Sequence, residues 1–350
     1  MRFPEFSGEW KEKRLEECVD FLDGLRKPIK SEDRKSEKGL YPYYGASGII
    51  DYIDDFIFDG EYILLSEDGA NIIDRNYRVA FIAKGKIWVN NHAHVLQPYD
   101  GFDINFLSET LECLNYAVYN TGTTMPKLNQ EVCRNINIKT PTAKEQNKIG
   151  IFLSLLNERI ATQNKIIDKL QTLIKGIAQN IARNNRPNIR ISECLECSSS
   201  TLQESDVCEH GTYPVYGANG IVGYLDNYNT EGEAIYIIKD GSGVGTVSYV
   251  TGKCSATGTL NTLQTEKGYL LQYLYYMLKV FSFDSYKTGM AIPHIYFKDY
   301  GKAKIFCPSY TEQLQYARLL SAIDNKLSTE QRLLTSLVLQ KQYLLRQMFI

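Results

Sequence analysis

Three groups of residues in this chain have types and spacings that could do chemistry. Cys194-x-x-Cys197, with Cys208 and His210 beyond it, has the outline of a partial zinc set, and His92 with His94 offers two further ligand nitrogens. Gly241-x-Gly243-x-Gly245 has the glycine density of a loop that cradles phosphate. The chain supplies its own control, because its halves repeat. At a shift of 176 residues Cys194 falls on Cys18 but Cys197 falls on Phe21, and a position that takes Cys or Phe belongs to the core. No metal is therefore expected. His92 and His94 fall on Thr259 and Asn261, a change that suits polar groups aimed at a ligand better than metal ligands. The glycine run lacks the G-x-G-x-x-G spacing, and its counterpart Gly69-Ala70-Asn71 holds a single glycine. No G-x-x-x-x-G-K-[S/T] phosphate loop and no unmatched acid, base or nucleophile cluster is present, so no cofactor is expected.

The repeat is the frame that must position everything else. Tyr41-Pro42-Tyr43-Tyr44-Gly45-Ala46-Ser47-Gly48-Ile49 returns 172 residues later as Tyr213-Pro214-Val215-Tyr216-Gly217-Ala218-Asn219-Gly220-Ile221. Asp68-Gly69 then meets Asp240-Gly241, and at a shift of 167 Thr121-Gly122 meets Thr288-Gly289, while Pro141 and Glu145-Gln146 meet Pro308 and Glu312-Gln313. A period this long is a duplicated domain rather than a solenoid. With 350 residues, each half can bury its own core. Short apolar runs between Gly and Asp turns, such as Glu61–Leu65, 79–83 and 234–238, predict strands, and the patches 107–119 and 270–280 predict helix.

Each half closes on a long helical pattern. Apolar residues recur in steps of three and four from Ile149 through Leu153, Leu156, Ile160, Gln163, Ile167 and Leu170 to Ile181. The same seam returns as Leu320, Ile323, Leu327, Glu330, Leu334 and Leu337. Helices of about 38 residues, or about 57 Å, are longer than a small β domain needs. The shared polar break at Gln163 and Glu330 predicts antiparallel pairing that brings the two together. Pro141-Thr142-x-x-Glu145 and Pro308-Ser309-x-x-Glu312 have the form of helix starts, with a hydroxyl cap and an acid at the positive end. The expected fold class is α+β: two similar β-rich domains separated by a pair of long helices forming an antiparallel coiled coil. The expected boundaries are 1–140 and 184–307 for the domains, and 141–183 and 308–350 for the helices.

These residues resemble the specificity subunit of type I restriction-modification enzymes. The resemblance rests on Phe3-Pro4-Glu5-Phe6 with Gly8-Glu9-Trp10, the paired Tyr-Pro-x-Tyr-Gly-Ala-x-Gly loops and Glu67-Asp68-Gly69-Ala70-Asn71. It extends through Trp88 to Leu96, Lys239-Asp240-Gly241-Ser242-Gly243 and the Pro-x-x-x-Glu-Gln helix openings. It implies two target-recognition domains, each reading half of a split double-stranded DNA site, and helices that set the gap and dock two methyltransferase subunits. It further implies motor-nuclease subunits in the full complex and no catalysis in this chain, which has no Asn-Pro-Pro-[Tyr/Phe] methyltransferase motif. The glycine run at 241–245 then reads either as a turn bringing backbone close to DNA or as a plain hairpin.

Base edges and phosphates are met by polar side chains on exposed loops. The candidates in the first half are Tyr44, Ser47, Lys84, Asn90, Asn91 and His92, then Thr121, Thr123, Thr124 and Lys127. In the second half they are Tyr216, Asn219, Lys239 and Ser242, then Thr257, Thr259, Lys287, Thr288 and His294. Where the halves differ, half-sites can differ, so Ser47 against Asn219 and Lys127 against His294 carry most interest. A net charge of -2 makes the chain alone a weak DNA binder. The polar start of the sequence and the lack of a long apolar run predict a cytoplasmic, membrane-free protein. The rival reading is an adhesion protein with carbohydrate-binding β domains on a coiled-coil stalk, which a secretion signal would favour.

Overall fold

The computed structural model describes residues 2–34, 38–265, 268–289 and 292–349. The chain folds as two compact units, 1–163 with 334–350, and 164–333. Each unit takes one half of each long helix, Ala143–Asn184 and Tyr310–Phe349. Among the described residues no helix is long and apolar enough to cross a membrane.

In the first unit six strands form one sheet in the order Val19–Phe21, Ala93–Pro98, Phe58–Ser66, Ala80–Val89, Tyr41–Gly45, Gly48–Ile53. All neighbours are antiparallel except Tyr41–Gly45 beside Ala80–Val89. Alternation sorts the central strand onto two faces. Ile63 and Leu65 join the core that holds Phe106, Leu111, Ile149 and Leu153, while Tyr62 and Leu64 pack with Ile87 and Val95 on the other side.

In the second unit the same strands make two sheets. One runs Leu195–Ser199, Leu260–Thr265, Glu233–Ile238, Val247–Thr251; the other runs Gly220–Leu225, Tyr213–Gly217, Ser255–Ala256. The split occurs where the counterpart of Ala80–Val89 breaks after Thr251. Gly85 and Gly252 occupy that point in the two units, both with φ near the left-handed region (80° and 89°), so the chain turns there at no Cβ penalty.

The predicted helical patch at 107–119 is shorter in the structure and starts earlier. It is the helix Ile104–Cys113, begun by Asp103 accepting from the Phe106 N–H at 2.9 Å and ended by extended Leu114, after which a separate short turn covers Tyr116–Tyr119. Its counterpart is Leu271–Val280.

Both long helices present their seams inward. Leu153 and Leu320 are fully buried, Gln163, Ile167, Leu327, Glu330 and Leu337 are buried, and Leu156, Ile160, Leu170, Ile323 and Leu334 are half-buried. Within the first unit the two half-helices run antiparallel: Lys341 donates to Asn157 Oδ1 at 2.7 Å, and Met348 and Phe349 reach the core around Ile149. Within the second, Ile174 and Ala178 share a cavity with Asp324 and Leu327.

The Gln of each Pro-x-x-x-Glu-Gln opening clasps the helix start to its domain. Gln146 donates to Pro141 O and accepts from Asp103 N, while Gln313 donates to Pro308 O and accepts from Leu270 N. The Glu positions differ. Glu145 is buried against Arg2 at 2.6 Å, whereas exposed Glu312 accepts from Ser309 Oγ at 2.6 Å.

Candidate nucleic-acid interface

In the first unit three loops at strand ends, after Gly45, Ser66 and Val89, are joined by backbone bonds to one another and to the segment 121–128. Glu67 N–H donates to His92 O at 2.9 Å, Leu128 N–H donates to Glu67 O at 2.7 Å, and Gly69 N–H donates to Pro126 O at 3.0 Å. Asn90 N–H donates to Tyr44 O at 3.0 Å, and Thr121 N–H donates to Lys127 O at 2.9 Å. The second unit repeats this frame bond for bond. Lys239 donates to Thr259 O at 3.0 Å, Ile295 to Lys239 O at 2.9 Å, and Gly241 to Pro293 O at 3.0 Å. Thr257 donates to Tyr216 O at 2.9 Å and Thr288 to His294 O at 2.9 Å. Gly69 and Gly241 both adopt positive φ (110° and 97°), the conformation that aims these N–H groups at the proline carbonyls.

The predicted residues divide between this frame and its surface. Tyr44 packs on Phe81 and Tyr216 on Tyr236, and burial raises both phenols above their ordinary range. Asn90 and Thr257 are buried: Asn90 Oδ1 accepts from His92 N at 2.8 Å, and the Thr257 hydroxyl meets that of Thr259 at 2.8 Å. These four side chains hold loops in place. Ser47 and Asn219 sit exposed at the tips of matching hairpins, and Asn91, Thr123, Thr124 and Ser242 are also exposed. Thr121 and Thr288 bond back to the carbonyls of Lys127 and His294. Lys84 lies away on a strand, paired with Glu61 at 3.1 Å, and Lys287 pairs with Asp284 at 2.8 Å.

His92 meets Asp68 at 2.8 Å at the surface, but His94 points inward. Its Nδ1 lies 2.6 Å from Asp23 and its Nε2 2.8 Å from Leu128 O. Burial alone would push this imidazole down, yet the hydrogen bonds to Asp23 and Cys133 and the Asp23 charge lift it to about 10. With both ring nitrogens engaged it is an imidazolium. Asp23, Glu67 and His94 have ligand atoms close enough for a metal ion, but Arg26 occupies that place, 2.7 Å from Glu67 and 3.5 Å from Asp23. The donor set is an ion network, which sequence reasoning missed because Arg26 and Asp23 lie in no motif and are far in the chain from Glu67 and His94. Cys194 packs in the core with its sulfur on backbone carbonyls, and burial pushes its thiol up to about 12.

A family model described as the type I restriction modification DNA specificity domain matches residues 7–172 and again 188–338. The chain belongs to this family. It is 35% identical over 148 residues to a putative type I restriction enzyme specificity subunit of Haemophilus influenzae, covering 42% of this chain and 37% of that protein. It is 27% identical over 181 residues to the EcoprrI specificity subunit of Escherichia coli, covering 51% and 43%. The aligned segments thus span less than half the length of these curated relatives. The crystal structure of a type I restriction-modification S subunit from M. genitalium shares the fold at a TM-score of 0.76 and 19% identity, covering 100% of this chain and 99% of that one. A second structure, of a type I R-M system, matches at a TM-score of 0.51 and 14% identity over 98% of both chains. At such identities the likeness is one of fold, and the two family copies coincide with the two loop frames.

Proposed function

We propose that this chain is the DNA sequence-specificity and scaffold subunit of a type I restriction-modification complex, reading a two-part site with one domain per half and catalysing nothing itself. The observation that carries this reading is the repeated loop frame: equivalent backbone bonds hold different side chains, exposed Ser47 against exposed Asn219 and exposed Lys127 against half-buried His294. A common frame with different donors and acceptors suits related but unequal half-sites. Double-stranded DNA is one partner. Two methyltransferase subunits are the next, and exposed Ile151 and Leu155 on the first unit's helix and Leu319 and Leu333 on the second's give them apolar contacts. Motor-nuclease subunits complete the assembly, which belongs in the cytoplasm. The net charge of -2 supports a division in which partners supply most phosphate contacts and the chain alone binds DNA weakly. Methyl transfer falls to a partner that extrudes an adenine from the stack. The test is exchange of residues 1–140 for the equivalent domain of a relative, followed by mapping of methylated adenines. One half of the methylated sequence should change and the other persist; a change in both halves would overturn the one-domain, one-half-site reading.

A further inference from the structure

The two loop frames carry opposite charge at one shared place. Glu67 and Lys239 each have both backbone groups tied into the frame, through His92 and Leu128 in one unit and Thr259 and Ile295 in the other. Their side chains therefore leave equivalent points of equivalent loops. Across the frame stand Lys127 and His294, again equivalent, each the β-bridge partner of Asp68 or Asp240. In the first unit the position is neutralised: Glu67 holds Arg26 at 2.7 Å and Lys127 at 3.4 Å, so the exposed Lys127 already has its counter-charge. In the second unit the acid is replaced by Lys239, and Lys127 by His294. Half-buried Lys239 has no ion-pair partner among the described residues. Its electrostatic neighbour is the Cys197 thiol, which burial pushes up to about 11 and so keeps neutral. Among the described residues the His294 ring has a contact with Ile292 O at 3.3 Å and a ring contact with Tyr296.

We propose that Lys239 is a phosphate anchor of the second recognition domain, and that in the first domain Glu67, standing in its place, ties up the neighbouring Lys127, so the two domains grip their half-sites unequally. The assignment rests on the DNA-recognition reading above. An ammonium with no internal acid loses little when it takes a phosphate, whereas Lys127 must first leave Glu67. Sequence readout is then left to neighbouring exposed residues in both domains, because a backbone contact positions without specifying.

The experiment uses the full chain and a fluorescein-labelled mixed-sequence duplex, with anisotropy followed from about 20 mM salt upward. Each phosphate contact contributes about 0.9 to the slope of log affinity against log salt. K239Q should lower the slope by about that amount, K127Q should leave it unchanged, and E67Q, by releasing Lys127, should steepen it. A role confined to folding would lower thermal stability in these variants without separating their slopes. Equal slopes for K127Q and K239Q, or a wild-type slope that K239Q does not alter, overturn the assignment alone. A wild-type chain that shows no salt-dependent binding even at the lowest salt overturns the DNA reading, and the assignment with it.

Discussion

His94 ties the loop frame of the first unit to its core, and its charge makes that tie dependent on pH. The folded imidazole titrates near 10 against an ordinary 6.5, so its contribution to stability is complete below about pH 6.5 and is lost as pH rises through 10. The thermal midpoint should fall across that window, and the difference between wild type and H94Q should shrink toward the alkaline end. At neutral pH the substitution leaves Asp23 and Arg26 in a buried network short of one charge, costing about 3 to 5 kcal/mol. A midpoint difference constant from pH 6 to pH 10 would show that His94 is neutral in the fold. The exposed hairpin tips belong to the same scale. S47N and N219S should leave stability within about 0.5 kcal/mol, since both side chains are exposed. Each should shift base preference at one position of one half-site by about 1 to 3 kcal/mol, read by competition between duplexes.

The long helices are structural parts of both units rather than separate rods. Residues 334–349 complete the first core through Leu345, Met348 and Phe349, and the Phe349 ring packs edge-on against Trp10 at 6.0 Å and tilted against Phe106 at 5.6 Å. Lys341 adds a buried ion pair with Glu109 at 3.0 Å, beside Arg78 and Asn157. Deleting 334–350 should therefore destabilise residues 1–163 and leave 164–333 folded, which hydrogen exchange resolved by segment would show. Burial orders the seam substitutions too. L153A, fully buried, should cost about 2 to 5 kcal/mol, and half-buried Leu156 and Ile323 less. Equal costs at all three sites would mean that the seam residues share one environment.

At the scale of the whole chain, the proposed division of labour separates base identity from spacing. The helices run 42 and 40 residues, about 60 Å each at 1.5 Å per residue. Insertion of one heptad into each helix, between Gln163 and Leu170 and at the matching place in the second, keeps the seam in register while lengthening both. Methylated-adenine mapping should then return the same two half-sites with a longer gap. Altered bases at unchanged spacing would place specificity in the helices instead.

Much of this architecture was legible in the sequence because it is periodic. A buried helix face must repeat every three or four residues, and the seam from Leu153 to Leu170 could be followed without coordinates. A strand buried on both faces reads as an apolar run, as Glu61–Leu65 did. The duplication was visible because equivalent turns demand the same Gly and Pro. The helical patch at 107–119 was misjudged at both ends, since Leu114 is apolar in either state and only its extended backbone stops the helix. The interface was the least legible part. Asn90 and Thr257 have the same chemistry as Asn91 and Ser242, yet the first two spend their hydrogen bonds inside the frame and the others face solvent. The role of Glu67 is not legible in its own segment, because it depends on Arg26 and Lys127, 41 and 60 positions away in the chain. Apolar burial is enforced by local periodicity and is written along the chain, whereas a polar side chain's role depends on which distant charge the fold brings beside it, and only the tertiary structure decides that.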